Sequence, residues 1–509
     1  MFKRIKIFLY LSLATVLIGA IGCKKGTFDI NSPNPNVPSD VSPKFILSGA
    51  LKTTAQLCLG GDEDYLNLYM GYWSVSGDYI PSSTTETYQT TTDYFSDNWN
   101  TGYLDLKNYA QMQVLAASDP NAGSYTAMGK IMEAFYFERL VDQYNDCPYT
   151  DALQGGTVNF PTYDKAANVY DSLIVMLNDA INIINQDNSN PTLELPGNYD
   201  ILFGGNMTEW IQFANTLKLK MALNVAANAS GSAFAQNALA GTSQYGFLGA
   251  GQDTAINPGY SNSSEYQQNP FWYDMGFSTS GAVQNNESYY RACSYIVNFM
   301  YANNDTIRLY QVFAPNAQTP AVVLGRPFGS NISAGQDNQH ISAMGPGLLQ
   351  SPSAPAVILP AYESLYMQAR ATMLGYLTGG PSAASLYQTG MEESFRLLQV
   401  PNYQSVADNY IATNPGNSNV SFTNSNNQMQ TVLTQEWVAD CGFDPLDSWN
   451  IWRATGVPTS LPVSVFEGSV ATHIPYRLLY PTSEYTYNSV NVDAEGTINN
   501  MTSTIFWMP

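Results

Sequence analysis

The sequence predicts a mainly α-helical protein in which tetratricopeptide-like helix pairs carry long irregular loops. Three observations predict it. Apolar residues recur at helical spacing in several separated stretches. A Gly/Pro break divides two of these stretches into a helical hairpin, the unit of tetratricopeptide-like stacks. The segments between the helices are long, polar and rich in aromatic residues.

In chain order, Lys3, Arg4 and Lys6 precede an apolar run from Ile7 to Ile21, the pattern of a secretion signal over residues 1–22. Ala20-Ile21-Gly22-Cys23 resembles the lipobox of bacterial lipoproteins, with Ala20 where Leu is usual, so Cys23 is the expected lipidation site. Residues 23–40, rich in Pro, Asn and Ser, read as an extended tether, and residues 41–509 as one α-rich domain. Within it, Tyr125–Tyr144 places Met128, Ile131, Met132, Phe135, Leu140 and Val141 near helical spacing. Ala166–Gln186 places Val169, Leu173, Ile174, Leu177, Ala180, Ile181 and Ile184 on one stripe. A third helix begins at Asn206, which can cap it with Glu209 three residues on, and gathers Trp210, Phe213, Leu217 and Met221 on one face. Ala361–Leu377 and Ala383–Leu398 form the hairpin around Thr378-Gly379-Gly380-Pro381-Ser382. Residues 59–104, 241–290, 315–360 and 400–432 read as loops; loops this long tend to be functional.

Composition narrows the partners. Charged residues are 12% of the 509, against ~25% in ordinary soluble domains, and the formal net charge is −21. Removing residues 1–22 takes away three basic residues and no acidic one. Such a surface repels phosphate backbones, which argues against nucleic acid. Cys58, Cys147, Cys293 and Cys441 contain no C-x-x-C pair; three disulfide pairings or free thiols are equally open. With only His340 and His473, a His-based metal site or triad is not expected. Asp62-Glu63-Asp64 lacks the twelve-residue loop of a calcium site. Phosphate loops, G-x-S-x-G and H-E-x-x-H are missing, so neither cofactor nor catalysis is expected.

Five stretches then carry a resemblance. They are FDINSPNPNVP (Phe28–Pro38); KIMEAFYFERLVDQYNDCPYTDAL (Lys130–Leu153), with Asn145 where Gly is usual; PTYDKAANVYDSLIVMLNDAI (Pro161–Ile181); DILFGGNMTEWIQFANTLKLKMAL (Asp200–Leu223); and the closing WNIWRATGVP (Trp449–Pro458) with IPYRLLYPTSEYTYN (Ile474–Asn488). Together with the lipobox they resemble the SusD/RagB family of outer-membrane nutrient-binding lipoproteins, especially its SusD-like branch. The resemblance implies a SusD-like fold, a cell-surface location held by lipid on Cys23, and a SusC-like TonB-dependent transporter as partner. It implies capture of an oligosaccharide or a peptide for import. The alternatives are a peptide-binding lid or scaffold of such a transporter without glycan binding, and, further off, a surface glycoside hydrolase. The motif residues themselves read as packing: Trp210, Leu217 and Trp449 as core, Arg453 and Arg477 as partners of helix ends or carboxylates.

A sugar ring offers apolar C–H faces rimmed by hydroxyls, which flat aromatic rings and amide or carboxylate groups match. Tyr65–Trp99 and the segment from Glu265 to Arg291, the two regions to which the resemblance assigns ligand contacts, both interleave aromatics with such groups. The candidate ligand residues are Trp73, Asp78, Tyr79, Trp99, Asn269, Trp272 and Tyr273, with Trp73, Tyr79, Trp99, Trp272 and Tyr273 as platforms. One or two of these rings are expected to be exposed, and Trp73→Ala and Trp272→Ala to lose ligand affinity while staying folded.

Overall fold

A computed structural model describes residues 42–60, 63–187 and 193–509; the signal segment, Cys23, Phe28–Pro38 and Asp62 lie outside them. Helices dominate the described residues. α1 (Pro43–Leu59) packs on α2 (Asp97–Ala116), α2 on α3 (Gly123–Tyr144), α3 on α4 (Ala166–Asp187), and α4 on α5 (Met207–Asn224). The stripe read in α3 is wholly buried, and in α4 only Ile181 stays half-exposed. Each buried large apolar side chain contributes roughly 1.5–3 kcal/mol over exposure, so packing rather than helix propensity holds these elements. α2 and α3 approach closely at Gly102, where a Cβ would stand 2.3 Å from the Tyr136 ring. Asn206 caps α5 as the sequence suggested, accepting from the backbone N–H of Thr208 and Glu209.

The hairpin is α6 (Ala361–Met373) against α7 (Ala383–Leu397). Its first helix stops earlier than the sequence suggested, because Gly375 takes a left-handed φ of 75° just beyond the last turn. The expected loop 400–432 contains a further helix, α8 (Tyr403–Thr413), packed on α7. It buries only Ala407 and Tyr410, too thin an apolar stripe to read from spacing. α9 (Gln428–Ala439) and α10 (Pro445–Thr455) complete the helical frame, and the described residues from Pro43 onward form one unit. No described helix is long and apolar enough to cross a membrane. The four described cysteines are unpaired thiols, and all but Cys58 are buried.

The resemblance motifs are packing, as read from the sequence. Lys220 on α5 meets Glu363 on α6 at 3.0 Å and Asp447 on α10 at 3.4 Å, while Arg370 of α6 pairs with Glu436 of α9 at 3.1 Å. Arg453 lies 3.7 Å from the centroid of the Trp449 ring and donates to the backbone carbonyl of Asp142, in the last turn of α3. The two short ladders join distant segments: β1 (Trp73–Val75) pairs antiparallel with β3 (Tyr290–Ala292), and β2 (Thr254–Ile256) with β4 (Ala356–Leu359).

One buried carboxylate gives a pH test. Asp105 on α2 accepts from Thr54 Oγ1 at 2.7 Å, and burial pushes its carboxyl from the usual 3.8 up to about 7. A raised carboxylate pKa means the folded state holds a proton the unfolded state has lost, so this group's penalty grows between pH 4 and 7 and stays constant above. Asp105→Asn, which keeps the acceptor, is expected to stabilise the protein by on the order of 2–4 kcal/mol at pH 8. The gain should vanish below pH 4, as thermal melts across that range would read; a gain independent of pH would contradict the assignment.

Candidate functional site

The β1–β3 ladder brings together the two aromatic regions singled out in the sequence. Its register sets Trp73 opposite Ala292, Ser74 opposite Arg291 and Val75 opposite Tyr290. From the end of β1 the chain turns through Ser76-Gly77-Asp78-Tyr79. Gly77 donates its N–H to the carbonyl of Gln336 at 2.8 Å, so close that a Cβ would stand 2.3 Å from that oxygen. Asp78 is exposed and accepts from the Asn338 N–H at 2.9 Å, which pins the turn. The Tyr79 ring then meets Tyr289 edge-on at 5.0 Å, and Tyr289 meets Tyr290 at 5.0 Å. Tyr289 ends a short helix, α-turn Asn285–Tyr289, linked to helix Pro270–Met275 by Asn286 Nδ2 donating to Asp274 Oδ1 at 2.8 Å. Aromatic residues thus run from Tyr79 through Tyr289 to the segment carrying Trp272 and Tyr273.

The charges beneath are held low in solvent contact. Arg291 is buried and gives Nη1–H to the carbonyl of Tyr290 at 2.8 Å. Burial pulls its guanidinium below the ordinary value, against the opposing pull of Glu287, Tyr79 and Asp78. Burial likewise raises the carboxyl of Glu287, with Arg291 opposing it.

Not every candidate faces outward. Trp73 is 1% exposed, packed against Tyr290 at 5.4 Å and Phe271 at 6.3 Å. Trp99 is 2% exposed inside a ring of Tyr103, Tyr144, Tyr163 and Tyr480, and its indole N–H donates to Glu484 at 3.1 Å. Both correct the expectation of exposed platforms: each large ring fills core space between segments distant in sequence. Asn269 is also buried, and its amide is fully committed. Oδ1 accepts from the Trp272 N–H at the start of helix Pro270–Met275, and Nδ2 donates to the carbonyls of Ala354 and Pro355. It caps the helix, with both ends of its amide engaged within the protein.

Trp272 is half-buried, 5.6 Å from Phe277, and lines a cavity of only about 50 Å³. Tyr273, 37% exposed, turns the other way and faces Tyr266, 76% exposed, at a ring separation of 5.9 Å. These two rings flank a cleft of about 200 Å³ whose walls include Lys52, Gln56, Tyr260, Glu265, Gln268 and Asp274. Tyr266 and Gln268 stood inside the aromatic segment without being singled out. Lys52 and Gln56, on α1, carried no local signal, since more than 200 residues separate them from the cleft's other wall. A larger cleft of about 470 Å³ lies beside Trp99, between α2 and helix Thr482–Tyr487. Among the described residues no group of His, Cys, Asp and Glu is arranged to hold a metal ion.

The helical frame thus presents paired tyrosines, amides and carboxylates on its loops. The sequence matches the SusD-like family described as starch-binding, associating with the outer membrane, over residues 35–481, and the chain belongs to that family. Similar solved structures share its fold. A chitin-binding protein has 23% identity and a TM-score of 0.73, covering 91% of this chain and 100% of its own. A SusD homologue from Bacteroides uniformis has 21% and 0.71, covering 91% and 99%. A chitin-binding SusD homologue from Flavobacterium johnsoniae has 20% and 0.70, covering 91% and 98%. No curated protein sequence matches the chain.

Proposed function

We propose that this protein is held to the outer membrane by lipid on Cys23, captures an oligosaccharide at the cell surface and delivers it to a SusC-like TonB-dependent transporter. Binding, not catalysis, is its role, and peptide is the second ligand class. The observation that carries the reading is the exposed Tyr266–Tyr273 pair over a cleft rimmed by Lys52, Glu265 and Asp274. An exposed ring face can pack on the apolar face of a sugar while the charged and amide groups take its hydroxyls. The family's starch-binding description and the chitin-binding neighbours support the ligand class. Asp78, Tyr79 and Trp272, which do not line this cleft, are further proposed contacts.

Calorimetric titration of the chain lacking residues 1–23 with starch-derived, chitin-derived and peptide ligands tests the reading. Tyr266→Ala with Tyr273→Ala is expected to weaken glycan binding on the order of 10–100-fold, at about 1.4 kcal/mol per tenfold, without moving the melting temperature. Unaltered affinity would remove this cleft from the site. Delivery is tested separately: the native lipoprotein should co-purify with a β-barrel transporter in mild detergent, and recovery as a free monomer alone would count against it.

A further inference from the structure

We propose that the cleft at the turn of the α6–α7 hairpin is a second oligosaccharide site, separate from the Tyr266–Tyr273 cleft and suited to an uncharged sugar chain. Its ligand class rests on the oligosaccharide reading; its place does not. At about 690 Å³ it is larger than the clefts under Tyr266 and beside Trp99. That lies within the ~300–1,000 Å³ usual for small-molecule sites. One wall is the end of α6 with the turn Thr378–Ser382, and the other is the segment from Leu239 to Phe247 that follows helix Gly231–Ala238. Gly379 and Gly380 keep the turn open, since a Cβ on either would meet nothing within 4 Å.

The walls carry no charge. None of the described residues lining the cleft is Asp, Glu, Lys, Arg or His, in a chain with 41 acidic and 20 basic residues. An ionised group brought here would lose hydration and find no counter-charge, so a neutral ligand is favoured. The polar groups on the walls are hydroxyls and an amide with bonding capacity to spare. Among the described residues, Tyr376 Oη, Thr372 Oγ1 and Ser243 Oγ form no hydrogen bond, and all three residues are at least partly exposed. Gln368, also partly exposed, donates Nε2–H to the carbonyl of Leu248 at 3.0 Å and to Ser364 Oγ at 3.2 Å. A carbonyl only accepts, so the amide nitrogen faces it and Oε1 is the acceptor left over. A hydroxyl both donates and accepts, as a sugar hydroxyl does, whereas each backbone N–H or C=O of a peptide does one of these. Hydroxyl-rich walls therefore match a sugar better than a peptide. The half-buried rings of Tyr376 and Phe247 rest inward on Leu219, Leu223, Met367 and Ala371 and border the cleft. They supply apolar surface for one C–H face of a sugar without having to enclose it.

Titration calorimetry of the native protein with maltotriose and, in separate runs, chitotriose tests the assignment. The wild-type protein is expected to take up two molecules of the preferred sugar per chain, and Tyr266→Ala with Tyr273→Ala to leave one. In that background Thr372→Val with Tyr376→Phe removes two hydroxyls that bond to no described residue, so the melting temperature should hold. The residual affinity should fall by about tenfold or more, the loss expected for two hydrogen bonds to a ligand. Loss of all binding in Tyr266→Ala with Tyr273→Ala, or residual binding that Thr372→Val with Tyr376→Phe leaves unchanged, overturns the second site. Either result leaves capture at the Tyr266–Tyr273 cleft standing. Binding untouched by Tyr266→Ala with Tyr273→Ala but lost on adding Thr372→Val with Tyr376→Phe supports the hairpin cleft and removes the other. Tighter residual binding of N-acetyl-trialanine amide than of either sugar overturns the glycan assignment in favour of a peptide. A wild-type protein that binds neither sugar takes down both readings.

Discussion

Lys220→Met is expected to destabilise the fold by about 3–5 kcal/mol at pH 7.5, enough to deplete the folded protein visibly. The ammonium of Lys220 lies 3.0 Å from Glu363, 3.4 Å from Asp447 and 3.9 Å from Asp444, and all four side chains are almost completely buried. Burial works against its charge, but the carboxylates outweigh burial and hold its pKa well above the ordinary lysine value. The cation therefore contributes fully at neutral pH, and its contribution is lost only as pH climbs through that raised value. Methionine fills similar volume but leaves the carboxylates facing one another. The carboxyl of Glu363 is already raised, first by burial, with Lys220 the largest opposing influence. Without Lys220 the carboxyls of Glu363 and Asp447 rise further, so the folded state prefers them protonated and the deficit narrows as pH falls toward 5. Urea titrations at pH 7.5 and 5 read the effect, and Glu363→Gln in the same background should restore part of it. A variant within 1 kcal/mol of wild type at pH 7.5 would refute this account of the cluster.

Trp73→Ala should cost a comparable 3–5 kcal/mol, the range for emptying a buried large aromatic. The ring fills the space between Tyr290 and Phe271 on the far side of the β1–β3 ladder. Its loss loosens the contact that sets the Tyr79 turn beside Tyr289, so ligand affinity should fall together with stability. Trp73→Phe separates the two effects: it keeps most of the volume, and the Trp73 indole N–H has no hydrogen-bond partner to lose. That variant should stay folded and bind normally. A stable Trp73→Ala that lost affinity alone would instead restore Trp73 as a ligand platform.

These outcomes follow the division between local and long-range information. The stripes of α3 and α4, the Asn206 cap and the Gly/Pro break of the hairpin were readable because each depends on neighbours within a few residues. So was the clustering of rings and amides in two loop regions. α8 escaped because its apolar stripe is too sparse, although packing on α7 is enough to form it. Membership of the family rested on motifs such as those carrying Lys220 and Arg453, whose side chains the fold spends on internal contacts.

Which aromatic rings meet water was a different matter. Tyrosine and tryptophan carry an apolar body and a polar edge, so the same residue type suits a core or a surface, and composition cannot separate the two. Contacts remote along the chain make the choice: Tyr480 closes over Trp99, Tyr290 over Trp73, and the carbonyls of Ala354 and Pro355 claim Asn269. Tyr266 and Tyr273 stay open, and only folding brings Lys52 to the same cleft. Helical periodicity reports an element's inward face, whereas solvent exposure of a loop ring depends on which distant segment arrives to cover it.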